Sequence, residues 1–149
     1  MIPRHPVTLA VATLLTTATG LPVGRGQQPL NASPPYYLLY SLDTLTSGAP
    51  FADLNEDSTF TYQVTCVSGP DPARPQSAGL ADQTEWMADK ARTALLARNP
   101  TTRAWLHPLT VPGARVIARL PDTETGGMAD PADAIMGYAL RVKIVLTAA

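Results

Sequence analysis

Two histidines, one cysteine and a scatter of carboxylates are the side chains of this sequence whose types could do chemistry, so their spacing decides what chemistry is open. His5 and His107 lie far apart, each directly before a proline, and no Cys/His spacing forms a metal site. Cys66 has no partner for an internal disulfide and no histidine placed to activate it as a nucleophile. "DLNEDS" at 53–58 begins like a calcium loop, but Ser58 replaces the glycine and Val64 stands where the bidentate glutamate belongs. "GRGQQP" at 24–29 begins like a dinucleotide fingerprint, but Pro29 replaces the third glycine and the stretch follows a helix pattern. Asp122, Glu124, Asp130 and Asp133 share one Gly- and Pro-containing stretch, where they read as solvated loop residues rather than a buried acid–base pair. There is no G-x-S-x-G elbow. The residues therefore offer no catalytic constellation, no metal site and no cofactor site, and the expectation is a protein that is not an enzyme.

The elements that would position these residues are clearer than the residues themselves. In "FTYQVTCVSG", Phe60, Tyr62, Val64, Cys66 and Ser68 alternate onto one face of a strand over 59–68, where Cys66 packs as a small hydrophobe. "YYLLYSL" predicts a strand over 36–42, apolar enough to be covered on both faces. The simplest pairing of these two is antiparallel. A helix over 77–98 carries the stripe Leu80, Thr84, Met87, Ala91, Ala94 and Leu95, and Asn99-Pro100 ends it. "RVIARL" (115–120) and "YALRVKIVL" (138–146) predict two more strands. The fold class that follows is α+β, an antiparallel sheet of four or slightly more strands with two main helices on one face, as a single domain over 1–149.

Residues 5–19 place Val7, Val11, Leu14, Leu15 and Ala18 on one helical stripe, and Gly20 then Pro22 stop it. The same run, behind Arg4 and His5, could instead serve as a signal peptide, although Thr8, Thr13, Thr16 and Thr17 make it polar. It is too short and too polar to span a membrane.

A chain of 149 residues suits one core, with 45% hydrophobic and only 15% charged residues. The net charge of −1 and nine dispersed arginines argue against a protein held to nucleic acid by electrostatics. Fifteen prolines and ten glycines punctuate long loops. The longest is 121–137, containing Gly126-Gly127, Pro131 and four carboxylates. It reads as a loop that is mobile in the free protein and orders on a partner through Met128, Ala129, Ala134, Ile135 and Met136. On the second helix, Trp86 points more than about 100° away from the apolar stripe. It either packs on another element or anchors a subunit contact. Trp86, Met128, Ile135 and Met136 are thus the candidate contact residues.

"LP" at 21–22, "PPYYLLYSLD" at 34–43, "GAPFADLNEDSTFTYQVTCVSG" at 48–69 and "QTEWMADKARTALL" at 83–96 occur in one order. Together they resemble the tail terminator (tail completion) proteins of long-tailed bacteriophages, particularly those infecting actinobacteria. The match runs over about 20–98, with only the two-strand pattern agreeing afterwards. The resemblance implies a structural virion protein: a homo-hexameric ring capping the tail tube, ending its growth and presenting a surface to the head-proximal connector or stopper. Its implied partners are other copies of itself, the major tail tube protein and that connector. DNA would pass through the ring without being read, and no membrane is involved. The implied location is the head-proximal end of the tail, after assembly in the host cytoplasm. A head-completion or stopper protein of the same joint is the near alternative. A small secreted α+β binding module is the alternative if residues 1–20 are a signal.

Overall fold

The computed structural model of the protein describes residues 2–47, 56–70, 73, 79–130 and 135–149. The elements run α1 (Arg4–Thr19), β1 (Val23–Arg25), β2 (Tyr36–Ser47), β3 (Asp57–Ser68), α2 (Ala81–Leu96), β4 (Ala114–Asp130) and β5 (Ile135–Ala148). The strands form one sheet in the order β1-β2-β3-β5-β4. β2–β3, β3–β5 and β4–β5 pair antiparallel, while β1 pairs parallel to β2. The α+β class stands, but the sheet is five-stranded and mixed rather than four-stranded and antiparallel.

The added strand lies in "LPVGRGQQPL", a stretch without periodicity because three residues are too few to show any. Backbone bonds hold it in place: Tyr37 N donates to the Pro22 carbonyl at 2.9 Å and Gly26 N to the Leu39 carbonyl at 3.0 Å. The chain then doubles back so tightly that a Cβ on Gly24 would lie 1.9 Å from the Gln27 carbonyl oxygen.

The expected loop over 121–137 is the second correction. Residues 121–130 continue β4 and 135–137 begin β5, leaving only 131–134, Ala134 among them, outside the described residues. Pro121 and Gly126-Gly127 read as breakers, yet β4 is an edge strand, where a missing N–H costs no ladder bond. The register shifts between Pro121 and Glu124 and again between Glu124 and Gly126, and Gly126 takes φ 78° at the second shift. These are bulges, for which glycine is suited.

Both helices cover the same face of the sheet. That face carries Tyr37, Leu39, Phe60, Tyr62, Val64, Cys66, Leu140, Val142, Ile144 and Leu146, all buried against Val7, Val11 and Leu15 of α1 and Met87, Ala91 and Leu95 of α2. The threonines of α1 fit because Thr8, Thr13, Thr16 and Thr19 each donate a hydroxyl to the carbonyl four residues earlier. Gly20 caps α1 in the left-handed region, φ 74°, its N–H bonded to Thr16 O. The expectation that β2 is covered on both faces holds only at its start: on the face against which neither helix packs, Tyr36 is buried, but Leu38 and Tyr40 are only half-buried. Leu80 likewise leaves the α2 stripe. It precedes the first helical turn and is 63% exposed, while Ala88 is buried in the stripe.

Candidate functional site

The four candidate contact residues do not form one cluster. Trp86 is half exposed on α2, turned away from Met87 and Ala91, with the Lys90 ammonium 4.5 Å from its ring centroid. It lines a shallow hollow of about 230 Å³ with Ala18 at the end of α1. Lys90 also donates to the Thr19 carbonyl at 3.2 Å, so the same side chain ties α2 to α1 and lies over the indole. Met128 is 72% exposed on edge strand β4, paired with Gly137. Ile135 and Met136 are half-buried at the start of β5, Met136 lying between Ala129 of β4 and Ser68 of β3. The Ser68 hydroxyl accepts from Leu80 N at 3.0 Å and donates to Gln83, so the start of α2 and the end of the β4–β5 hairpin share one end of the sheet. Exposed Leu80 and Met128 therefore stand at that end, with Trp86 farther along α2.

The side chains whose types could do chemistry are placed apart. His5 is exposed at the start of α1, and His107 is half-buried beside an apolar groove of about 680 Å³ between α1 and the segment 107–112. Cys66 is fully buried, and burial pushes its thiol up to about 12, away from any nucleophilic role. Asp122 lies 3.8 Å from Lys143, and Glu124 is held by Arg92 and Tyr138, so these two carboxylates serve different partners. The Asp53 and Asn55 positions of the calcium-like stretch, and Asp133, lie outside the described residues. Among the described residues no group of three or more His, Cys, Asp or Glu side chains is placed to hold a metal ion. No helix among them is long and apolar enough to cross a membrane.

Two constellations lie beyond the reach of sequence spacing. The first clasps β4 to α2. Arg92 donates to both carboxylate oxygens of Glu124 at 2.6–2.8 Å, and the Tyr138 hydroxyl donates to Glu124 Oε2 at 2.7 Å. Partial burial acts against it, but these bonds hold the Glu124 carboxyl below its ordinary range.

The second is a stack at the C-terminal end of α2. Asn99 Oδ1 accepts from Thr101 N and Thr102 N, and Arg103 adopts φ 62°, folding the chain back so that Trp105 pairs with Arg98. The Trp105 ring then has the Arg98 guanidinium 3.7 Å from its centroid and the Arg119 guanidinium 4.7 Å away. Arg119, on β4, is 4% exposed. It donates through Nη1 to the Leu95 carbonyl at 3.1 Å, and its Nε has no partner. Trp105 in "TTRAWLHP" carries no periodic signal, and its neighbours come from α2 and β4.

These features define an α+β protein with two helices on one face of a five-stranded mixed sheet. That fold is shared with a chain of a solved particle described as "Virion of native gene transfer agent (GTA) particle". The two superpose with a TM-score of 0.67 over 95% of this chain and 94% of that one, at 12% sequence identity. At that identity the likeness is one of fold. No protein-family model matches the chain, and a search of curated proteins finds no relative.

Proposed function

We propose that the protein is a structural component of a phage-like virion, and within it a tail terminator. In this reading copies of the chain assemble into a ring that caps the tail tube, stops its growth and offers a surface to the head-proximal connector. DNA passes through without sequence-specific contact, and the protein performs no catalysis. The observation that carries the proposal is the fold likeness to a gene transfer agent virion chain over nearly the whole length of both chains. It is supported by the ordered sequence features over about 20–98 that resemble the tail terminator family. It is also supported by the exposure of Leu80, Trp86 and Met128, large apolar side chains suited to contacts between subunits.

Negative-stain imaging of the purified protein mixed with tail tubes tests this reading. Rings seated on one end of each tube, with tube length no longer increasing, are the expected result. Binding to the head-side connector with no affinity for tubes would replace it with the head-completion role at the same joint. Trp86→Ala sharpens the test. Because Trp86 is half exposed, the variant should remain a folded monomer and lose ring formation. An unfolded variant would mean that Trp86 is needed for the fold itself, which overturns its role as a contact anchor.

A further inference from the structure

Arg98 and Arg119 flank one indole, and no carboxylate of the described residues pairs with either of them. Two cations on the faces of a single ring repel each other, and one of them is almost wholly buried with an unsatisfied Nε. Burial first, and then the neighbouring Arg98 charge, pull the Arg119 guanidinium down to about 10. A buried charge without a counter-ion is costly, and here only the Trp105 ring and the Leu95 carbonyl offset that cost. The arginines form part of the wall of an open, solvent-facing cavity of about 590 Å³, bounded by the last turn of α2, Trp105 and the Leu120-Pro121 stretch of β4.

We propose that this cavity binds an aliphatic carboxylate, gripped by Arg98 and Arg119 beside Trp105. Planar guanidiniums immobilised on an aromatic face are suited to the two oxygens of a carboxylate. The remaining walls include Leu96, Leu120 and Pro121, which suit an aliphatic stem rather than a bare inorganic ion. Arg119 is anchored on the Leu95 carbonyl, at the negative end of the α2 dipole, which disfavours a doubly charged phosphate more than a singly charged carboxylate. An Asp or Glu side chain of a neighbouring subunit and a free small carboxylic acid both present this chemistry. The cavity belongs to a single chain, so its binding can be tested without any ring assembly.

The experiment uses full-length protein carrying Trp86→Phe, so that Trp105 is the only tryptophan and its fluorescence reports on the stack. The probes are N-acetyl-glutamic acid amide, butyrate and inorganic phosphate at constant ionic strength. Saturable changes with both carboxylates, at lower concentration than with phosphate, are the expected result. Preference for the capped glutamate assigns the site to a protein side chain, and equal or better binding of butyrate assigns it to a free acid. Arg98→Gln, at an exposed position, should weaken binding by about tenfold or more, the loss of one charge-assisted contact. Arg119→Met should abolish binding while the protein stays folded, since it removes a buried unpaired charge. Tighter binding of phosphate would overturn the carboxylate assignment. No saturation with any probe, or unchanged binding in Arg98→Gln, would overturn the site.

Discussion

On the helix-covered face of the sheet, Tyr37 and Tyr62 are completely buried and each hydroxyl is bonded. Tyr37 donates to the Met87 carbonyl of α2 at 2.7 Å, and the Tyr62 hydroxyl lies 2.9 Å from that of Thr8 on α1. On the opposite face, Arg141 donates to Gln63, and Gln63 donates to Thr65, at 3.2 and 3.1 Å, all three partly exposed. Both faces therefore carry polar groups, but under different constraints. Buried hydroxyls must be satisfied inside the protein, so they also fix where each helix sits. The groups on the open face can exchange a protein partner for water, so their bonds constrain little. The same contrast separates the aromatic residues: the buried tyrosines specify the packing of one chain, whereas half-exposed Trp86 is free to meet another.

The largest expected effect lies under α1. Leu15 is fully buried, and Leu15→Ala should destabilise the protein by about 2–5 kcal/mol in chemical denaturation, through lost transfer energy and a residual cavity. A loss well under that range would mean that the helix-covered face is as tolerant as the open one, which breaks the comparison.

Tyr37→Phe is a finer probe, because it keeps the ring and removes only the hydroxyl that reaches α2. The expected cost is about 1 kcal/mol, seen as a fall of about 3 °C in Tm.

Next comes the clasp between α2 and the edge strand, whose side chains are about one-third exposed and therefore screened by solvent. Glu124→Gln should cost only a few tenths of a kcal/mol near neutral pH. The folded-state pKa of Glu124 is depressed, so its stabilisation is present above the unfolded value of about 4.3 and is lost as pH falls through the folded value. The stability difference between wild type and Glu124→Gln should accordingly close below about pH 4 in a series of denaturation curves. A difference that widens on acidification would show that the pairing with Arg92 is not its source. The smallest effect belongs to the open face. Gln63→Lys should stay within about 0.5 kcal/mol of wild type, and a larger loss would mean that this face is covered in the working protein.

What could be read along the chain was the structure that neighbours in sequence determine. Alternation put Phe60, Tyr62, Val64 and Cys66 on one buried face of β3. The helical repeat put Val7, Val11 and Leu15 of α1, and Met87, Ala91 and Leu95 of α2, into the core and left Trp86 outside it. Such patterns are legible because each residue's direction is set by its few neighbours along the backbone. The breaker rules failed at 121–130 for a tertiary reason. Proline and glycine disrupt a central strand but are tolerated at an edge, and whether a strand is at an edge is decided by strand order, which no local window contains. Val23–Arg25 became a strand only because β2 lay alongside to receive it. The contacts that build the clasp and the proposed carboxylate site were equally out of reach. Arg92 meets Glu124 across 32 residues, and Arg119 meets the Leu95 carbonyl across 24. Those meetings depend on α2 lying along β4, a matter of packing geometry that composition and periodicity do not encode.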